Sequence, residues 1–199
     1  MRVFIAVLVL IFSIQSLTKA DDIRDFEVEG MSIGDSALNF FSEEQIEANK
    51  YFAYPLKDYF QSIVMTPDSK MYTSIQISIK NGDNDFIIVS IEGGVHPIEF
   101  NECKKRKKII EKKILEVFPD LTNVVYGEER KMWSDPDSKE ITTDIYLNTS
   151  FTDGGAIRIL CVDRSKRIEE EKGWVDSLRV IANSKEFNIF IDKNVNLND

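Results

Sequence analysis

The stretch Thr73-Ser74-Ile75-Gln76-Ile77-Ser78-Ile79-Lys80 decides the fold. Thr73, Ile75, Ile77 and Ile79 fall on one side and Ser74, Gln76, Ser78 and Lys80 on the other, which is the period of two of a half-buried strand. Asn81-Gly82-Asp83-Asn84 follows as a turn, and Phe86 to Ile91 returns as the partner strand, so the pairing is antiparallel. Upstream, Tyr59 to Met65 reads as a further strand. Downstream, Gly93-Gly94 is expected to end the pair. Residues 101–118 then read as a helix with Cys103, Ile110, Ile114, Val117 and Phe118 on its apolar side, stopped by Pro119.

The second half repeats the strand pattern. Leu121 to Tyr126 and Lys131 to Trp133 are candidate strands, and Ile141, Thr143, Ile145 and Leu147 alternate with polar neighbours. Asp153-Gly154-Gly155 turns into Ala156–Val162. A charged helix near Lys166–Lys172 ends at Gly173, and Leu178 to Ala182 and Phe187 to Ile191 are expected to close the chain as strands. At the other end, Asp21 to Glu29 reads as an edge strand broken by Gly30. Ser32-Ile33-Gly34-Asp35 and Ser42-Glu43-Glu44-Gln45 fit capping boxes, the second flanked by the staple pair Phe41 and Ile46, so two short helices are expected before Asn49. The predicted class is α+β: an antiparallel sheet of about six to seven strands, one main amphipathic helix and short N-terminal helices.

The chain has 199 residues, enough for one domain. Its first twenty read as a secretory signal: Arg2, then an apolar run from Val3 to Ile14 broken only by Ser13, then Thr18-Lys19-Ala20 with small residues at both recognition positions. Cleavage after Ala20 is expected, leaving residues 21–199 as a single domain. The apolar run is shorter than the roughly 20 residues of a spanning helix. The full chain carries 25 Lys+Arg against 34 Asp+Glu, a net charge of −9. Loss of Arg2 and Lys19 leaves 23 bases against 34 acids, or −11. That balance argues against a nucleic-acid binder working by phosphate neutralisation. The product is expected to be periplasmic or secreted, and not an integral membrane protein once the signal is removed.

Cys103 and Cys161 are the two cysteines. An even pair in an exported chain predicts a disulfide. Cys103 lies on the helix stripe, and Cys161 shares a strand face with Ile157 and Ile159. The alternatives are two buried free thiols and a reactive thiol, the latter because Lys104, Lys105 and Arg106 beside a first-turn Cys103 favour thiolate.

Other motifs are weighed against plainer readings. Gly34-Asp35-Ser36-Ala37-Leu38 and Gly82-Asp83-Asn84-Asp85 resemble the opening and oxyanion blocks of GDSL-type esterases. The resemblance implies Ser36 as nucleophile and Asn84 as oxyanion donor. The D-x-x-H that family carries near its C-terminus has no counterpart, since His96 is the only His, and a serine without a base is not activated. A helix cap and a hairpin turn explain both blocks. His96 reads as a loop residue. Asp83 with Asp85, and Asp135 with Asp137 and Glu140, offer oxygen ligands of the kind calcium takes, but solvated turn acids fit better. Asn148-Thr149-Ser150 is a glycosylation sequon in a eukaryotic host. Lys104, Lys105, Lys107, Lys108 and Lys112 suggest a basic face for an anionic partner; the plainer reading is a solvated helix back. The run Glu29-Gly30-Met31-Ser32-Ile33-Gly34-Asp35-Ser36, with the Asn101-Glu102-Cys103 helix start and the Cys161 strand, is similar to small exported proteins of marine bacteria without an assigned activity. That resemblance implies an extracytoplasmic α+β domain.

The expected role is therefore an exported cell-envelope domain that binds a protein or small ligand without catalysis. It needs no cofactor, and no catalytic or metal-ligand set is assigned. The alternatives are a small secreted hydrolase using Ser36 and a structural envelope protein that docks on an anionic surface through its basic helix.

Overall fold

The computed structural model describes residues 22–65, 71–118, 123–148, 150 and 152–195. The leader over residues 1–20, the helix stop at Pro119, Leu121 and Thr122 of the predicted strand and Thr149 of the sequon lie outside them. The elements in order are β1 (Glu27–Val28), β2 (Met31–Ser32), α1 (Glu43–Ala48), β3 (Lys50–Tyr51), β4 (Tyr59–Met65), β5 (Ser74–Lys80), β6 (Ile88–Val95), α2 (Phe100–Val117), β7 (Asn123–Tyr126), β8 (Arg130–Met132), β9 (Asp135–Tyr146), β10 (Ala156–Asp163), α3 (Lys166–Lys172), β11 (Ser177–Asn183) and α4 (Lys185–Val195). A 3-10 turn spans Ile23–Asp25 and another Ala37–Asn39.

β1 and β2 pair with each other, and the other nine strands form one antiparallel sheet. Its order is β3-β4-β5-β6-β11-β10-β9-β7, with β8 on β9. Two meanders, β4-β5-β6 and β9-β10-β11, meet at the β6–β11 seam. The α+β class and antiparallel pairing hold. The sheet has nine strands where six or seven were expected; Lys131–Met132 of a candidate strand fall in β8, while β3 has only two residues, too few to show a period.

The register gathers the apolar positions on one face. Phe60, Ile79, Ile77, Ile91, Ala182, Ile157 and Ile145 follow one another across the seam, all nearly or fully buried. α2 covers this face beside the N-terminal segment, whose Ile23, Val28, Met31, Ile33, Ala37 and Ile46 join the same core. Glu99 caps α2, accepting the Glu102 N–H at 3.0 Å. Ser42 and Gln45 form the predicted capping box of α1, and Gly173 ends α3 in a left-handed turn at φ 67°.

Five expectations are corrected. The segment up to Glu29 is not an edge strand of the main sheet but a 3-10 turn followed by β1, which pairs with β2. Ser32 does not cap a helix but lies in β2, its N–H bonded to the Asp35 carboxylate at 2.8 Å. Gly93 and Gly94 do not end a strand but lie inside β6: the Tyr72 ring lies against Gly93, where a Cβ would stand 2.6 Å from it. On α2, Val117 is half exposed and Lys107 is buried in the stripe instead. Phe187 to Ile191 is not a strand but part of α4, started by Ser184, whose hydroxyl accepts the Phe187 N–H at 3.1 Å. Phe187, Phe190 and Ile191 are spaced i, i+3, i+4, the helical period that a five-residue apolar run conceals. With Tyr59 they form a second, smaller core over the opposite face of the sheet.

Candidate functional site

The disulfide forms as expected. Cys103 and Cys161 are bonded, with Cα atoms 5.9 Å apart, and both are fully buried between α2 and β10. The thiols are consumed in a staple, so neither is free to react.

The lysines of the basic run of α2 do not all share one exposed face. Lys107 points into the sheet, where it donates to Glu111 and to the Thr143 hydroxyl. Lys104 donates to Glu129 at 3.3 Å and lies 4.7 Å above the Phe100 ring. Lys105 pairs with Glu102 and Lys112 with Glu116, both on exposed ground. Lys108 is exposed. Exposed pairs of this kind contribute about 0–1 kcal/mol each.

The other motif residues serve local structure. The Ser36 hydroxyl donates to the Asp85 carbonyl at 2.6 Å, tying the N-terminal segment to the β5–β6 turn. The His96 ring meets the Ser74 hydroxyl at 3.0 Å, on a different strand. The Asp83 carboxylate accepts the N–H groups of Asp85 and Ile87 and shapes that turn. Asp135 accepts from the hydroxyls of Ser138 and Ser165 and from Arg167, and these bonds hold its carboxyl down at a pKa of about 2. Glu140 accepts from Arg130 at 2.9 Å. Among the described residues, no cluster of three His, Cys, Asp or Glu is placed to hold a metal ion.

What the motifs did not point to is the second face of the sheet. Its side chains belong to the positions that alternate with the core. Gln61, Ser78, Ser90, Asn183 and Ala156 form one row across β4, β5, β6, β11 and β10. Gln76, Glu92, Ile181, Arg158 and Asp144 form the next row across β5, β6, β11, β10 and β9. A sheet face of this composition normally meets water. Here α4 and the segment before β4 rise beside it, with Tyr54, Phe187 and Ile191 making an apolar wall. The result is a polar trough enclosing about 150 Å³. That is about five water volumes at ~30 Å³ each.

Two ion pairs lie on its floor. Arg179 meets Glu92 in a fork, with Nε and Nη2 each 2.5 Å from a carboxylate oxygen. Arg158 meets Asp144 in the same manner at 2.5 and 3.2 Å. Burial lowers the pKa of both guanidinium groups, but the carboxylates outweigh it and the net shift is upward, so both arginines stay charged. Each fork uses the Nε/Nη2 edge of its guanidinium, so the Nη1 edge lies outside the pair. Around the pairs, Tyr51 donates its hydroxyl to the Gln76 carbonyl at 2.8 Å and Ser90 donates to the Asn183 carbonyl at 2.6 Å. Desolvation of its hydroxyl end, helped by the charge of Glu92, pushes Tyr51 up to about 12, which keeps it a donor.

Gln61 is the exception. It is 5% exposed, and its carboxamide meets Tyr54 at one end. The other end, Oε1, is buried against the trough with no hydrogen-bond partner. Such an orphan costs about 1–3 kcal/mol relative to a paired group. The trough therefore combines two neutralised ion pairs, an apolar wall and an acceptor without a donor.

No protein-family model, curated protein or solved structure matches this chain. Among the described residues, no helix is long and apolar enough to cross a membrane.

Proposed function

We propose that this chain is an exported, non-enzymatic domain of the cell envelope, and that it binds a small polar ligand in the trough on the second face of its sheet. The observation that carries this reading is the orphaned Gln61 carbonyl, buried in a polar cavity with room for a ligand. Buried polar groups without partners are rare in native proteins and each calls for a reason. A ligand that donates to Oε1 supplies one. The leader-like first twenty residues and the Cys103–Cys161 bridge support an oxidising compartment. A binding role is supported by the trough's contents: its acids are paired with arginines, which leaves the site neutral and polar on its floor.

Nitrogen-15 NMR of the disulfide-bonded protein tests this. The Gln61 amide resonances and the Arg158 and Arg179 Nε resonances are expected to shift together when a panel of small polar compounds is titrated in. If every compound in the panel leaves those three residues unmoved, the trough is not a binding site.

A further inference from the structure

Resting on the trough being the binding site, we infer that its ligand is a neutral polyhydroxylated molecule of about one sugar ring. The argument starts from charge. The floor holds two guanidinium groups and two carboxylates, each joined to its opposite in a fork, so the trough is neutral as a whole. An anionic ligand approaching Arg158 or Arg179 meets Asp144 or Glu92 at the same place. A cationic ligand meets the arginines. Either gains one attraction and one like-charge repulsion at the same place, so a net charge on the ligand brings little to set against its own desolvation. A neutral ligand leaves both forks intact.

Hydrogen-bonding capacity narrows the class. The groups outside the forks are of both kinds: Gln61 Oε1 is a buried acceptor without a donor, and the Nη1 edges of the two arginines are donors that the forks do not use. A hydroxyl group is donor and acceptor at once, so several hydroxyls on one frame answer both needs. A hydroxyl also serves the Gln61 carboxamide whichever way round it stands. The wall opposite these groups is apolar, formed by Tyr54, Phe187 and Ile191. A sugar ring has that division, with C–H surface on its faces and hydroxyls on its rim. An aliphatic ligand would leave Gln61 orphaned, and a free amino acid carries both unwanted charges. The enclosed 150 Å³ is the size of one ring rather than a chain of them.

The test holds the ring constant and varies the charge. D-glucose, D-galactose and D-mannose are titrated into the disulfide-bonded protein. Glucuronate, galacturonate, glucosamine and galactosamine follow at the same concentrations, and the Gln61 and Arg side-chain resonances are read by NMR. At least one neutral sugar is expected to shift them saturably and to bind at least tenfold tighter than its acid and amine counterparts. Gln61→Met is expected to weaken that binding at least tenfold while the backbone spectrum stays folded, and Arg158→Gln to weaken it as well. If an acid or amine sugar, or an amino acid run alongside, shifts the trough resonances as tightly as the neutral sugars do, the ligand class is wrong and the site stands. If the neutral sugars and the wider panel all leave the trough unmoved, the site itself is refuted. If a sugar shifts only residues outside the trough, or if Gln61→Met binds as wild type, the assignment is overturned.

Discussion

The two faces of the nine-stranded sheet are made by the same strands, one residue out of phase, and they meet opposite fates. On one face, Ile75, Ile77, Ile91, Ile157, Ile159 and Val180 are sealed under α2 and the N-terminal segment, and the Cys103–Cys161 bridge pins the helix to the sheet. On the other, Gln61, Gln76, Glu92, Arg158 and Arg179 lie beside α4, with a cavity between. On the first face the apolar side chains join one core, and the buried Ser62 and Thr143 hydroxyls are paired with the Ile46 carbonyl and Lys107. The second keeps charged and amide groups partly desolvated, and at Gln61 leaves one acceptor unanswered. Burial of apolar surface accounts for the first face. It does not account for the second, whose groups would be better hydrated in water than in a half-roofed trough. The difference separates what holds this protein together from what the protein keeps available.

Perturbing the two faces should therefore have different consequences. Replacing both cysteines by Ala removes a constraint between residues 58 apart in sequence. The chain-entropy cost is about 4 kcal/mol. A urea midpoint close to wild type would show that the staple adds nothing to the sealed face. Next, Ile77→Ala empties a fully buried site and should cost about 2–5 kcal/mol, whereas Gln76→Ala, one residue away on the trough side, should cost under about 1 kcal/mol. Equal losses at the two positions would erase the contrast between the faces. Glu92→Gln leaves the Arg179 guanidinium without its carboxylate. With Arg179 about one-third exposed, a loss of about 1–3 kcal/mol is expected, and solvent screening keeps it below the fully buried case. A change of zero would mean that the fork is a surface pair.

The smallest expected effect lies outside the trough and depends on pH. Asp135, held near pKa 2 by the Ser138 and Ser165 hydroxyls and Arg167, favours the folded state whenever it is ionised. Its contribution is complete above the unfolded value of 3.8 and falls away as the pH drops from about 4 toward 2. Asp135→Asn should flatten that acid limb of the stability curve. An unaltered limb in the variant would assign it to other carboxylates.

Much of this arrangement was legible from residues. The alternation of Thr73–Lys80 fixed the β5–β6 hairpin, and the Ser42–Gln45 box and Gly173 marked helix ends. The disulfide followed from a helix stripe facing a strand face. Lys107 was misread because its charge hid its position: 103, 107, 110, 114 and 118 keep the helical period, and Glu111 and Thr143 supply the partners that let a lysine take the buried place. The trough leaves less trace in the sequence. Period two tells which residues share a face but not what covers that face. Reading Phe187–Ile191 as a strand removed the helix that turns the polar side into a cavity. The spacing of Phe187, Phe190 and Ile191 and the Ser184 cap were the available signals. No local pattern marks Gln61, because its orphaned carbonyl depends on neighbours distant in sequence.

The most direct test of a ligand trough is the equilibrium stability of Gln61→Met without ligand. Met keeps the length of the side chain and deletes the buried acceptor. An Oε1 held unpaired for a ligand costs the ligand-free protein about 1–3 kcal/mol, which offsets the Tyr54 contact that Met also removes, worth about 0.5–1.5 kcal/mol, so the variant should match or exceed wild type in its urea midpoint. A loss of more than about 1 kcal/mol would show that Gln61 serves the fold. That result would contradict the account.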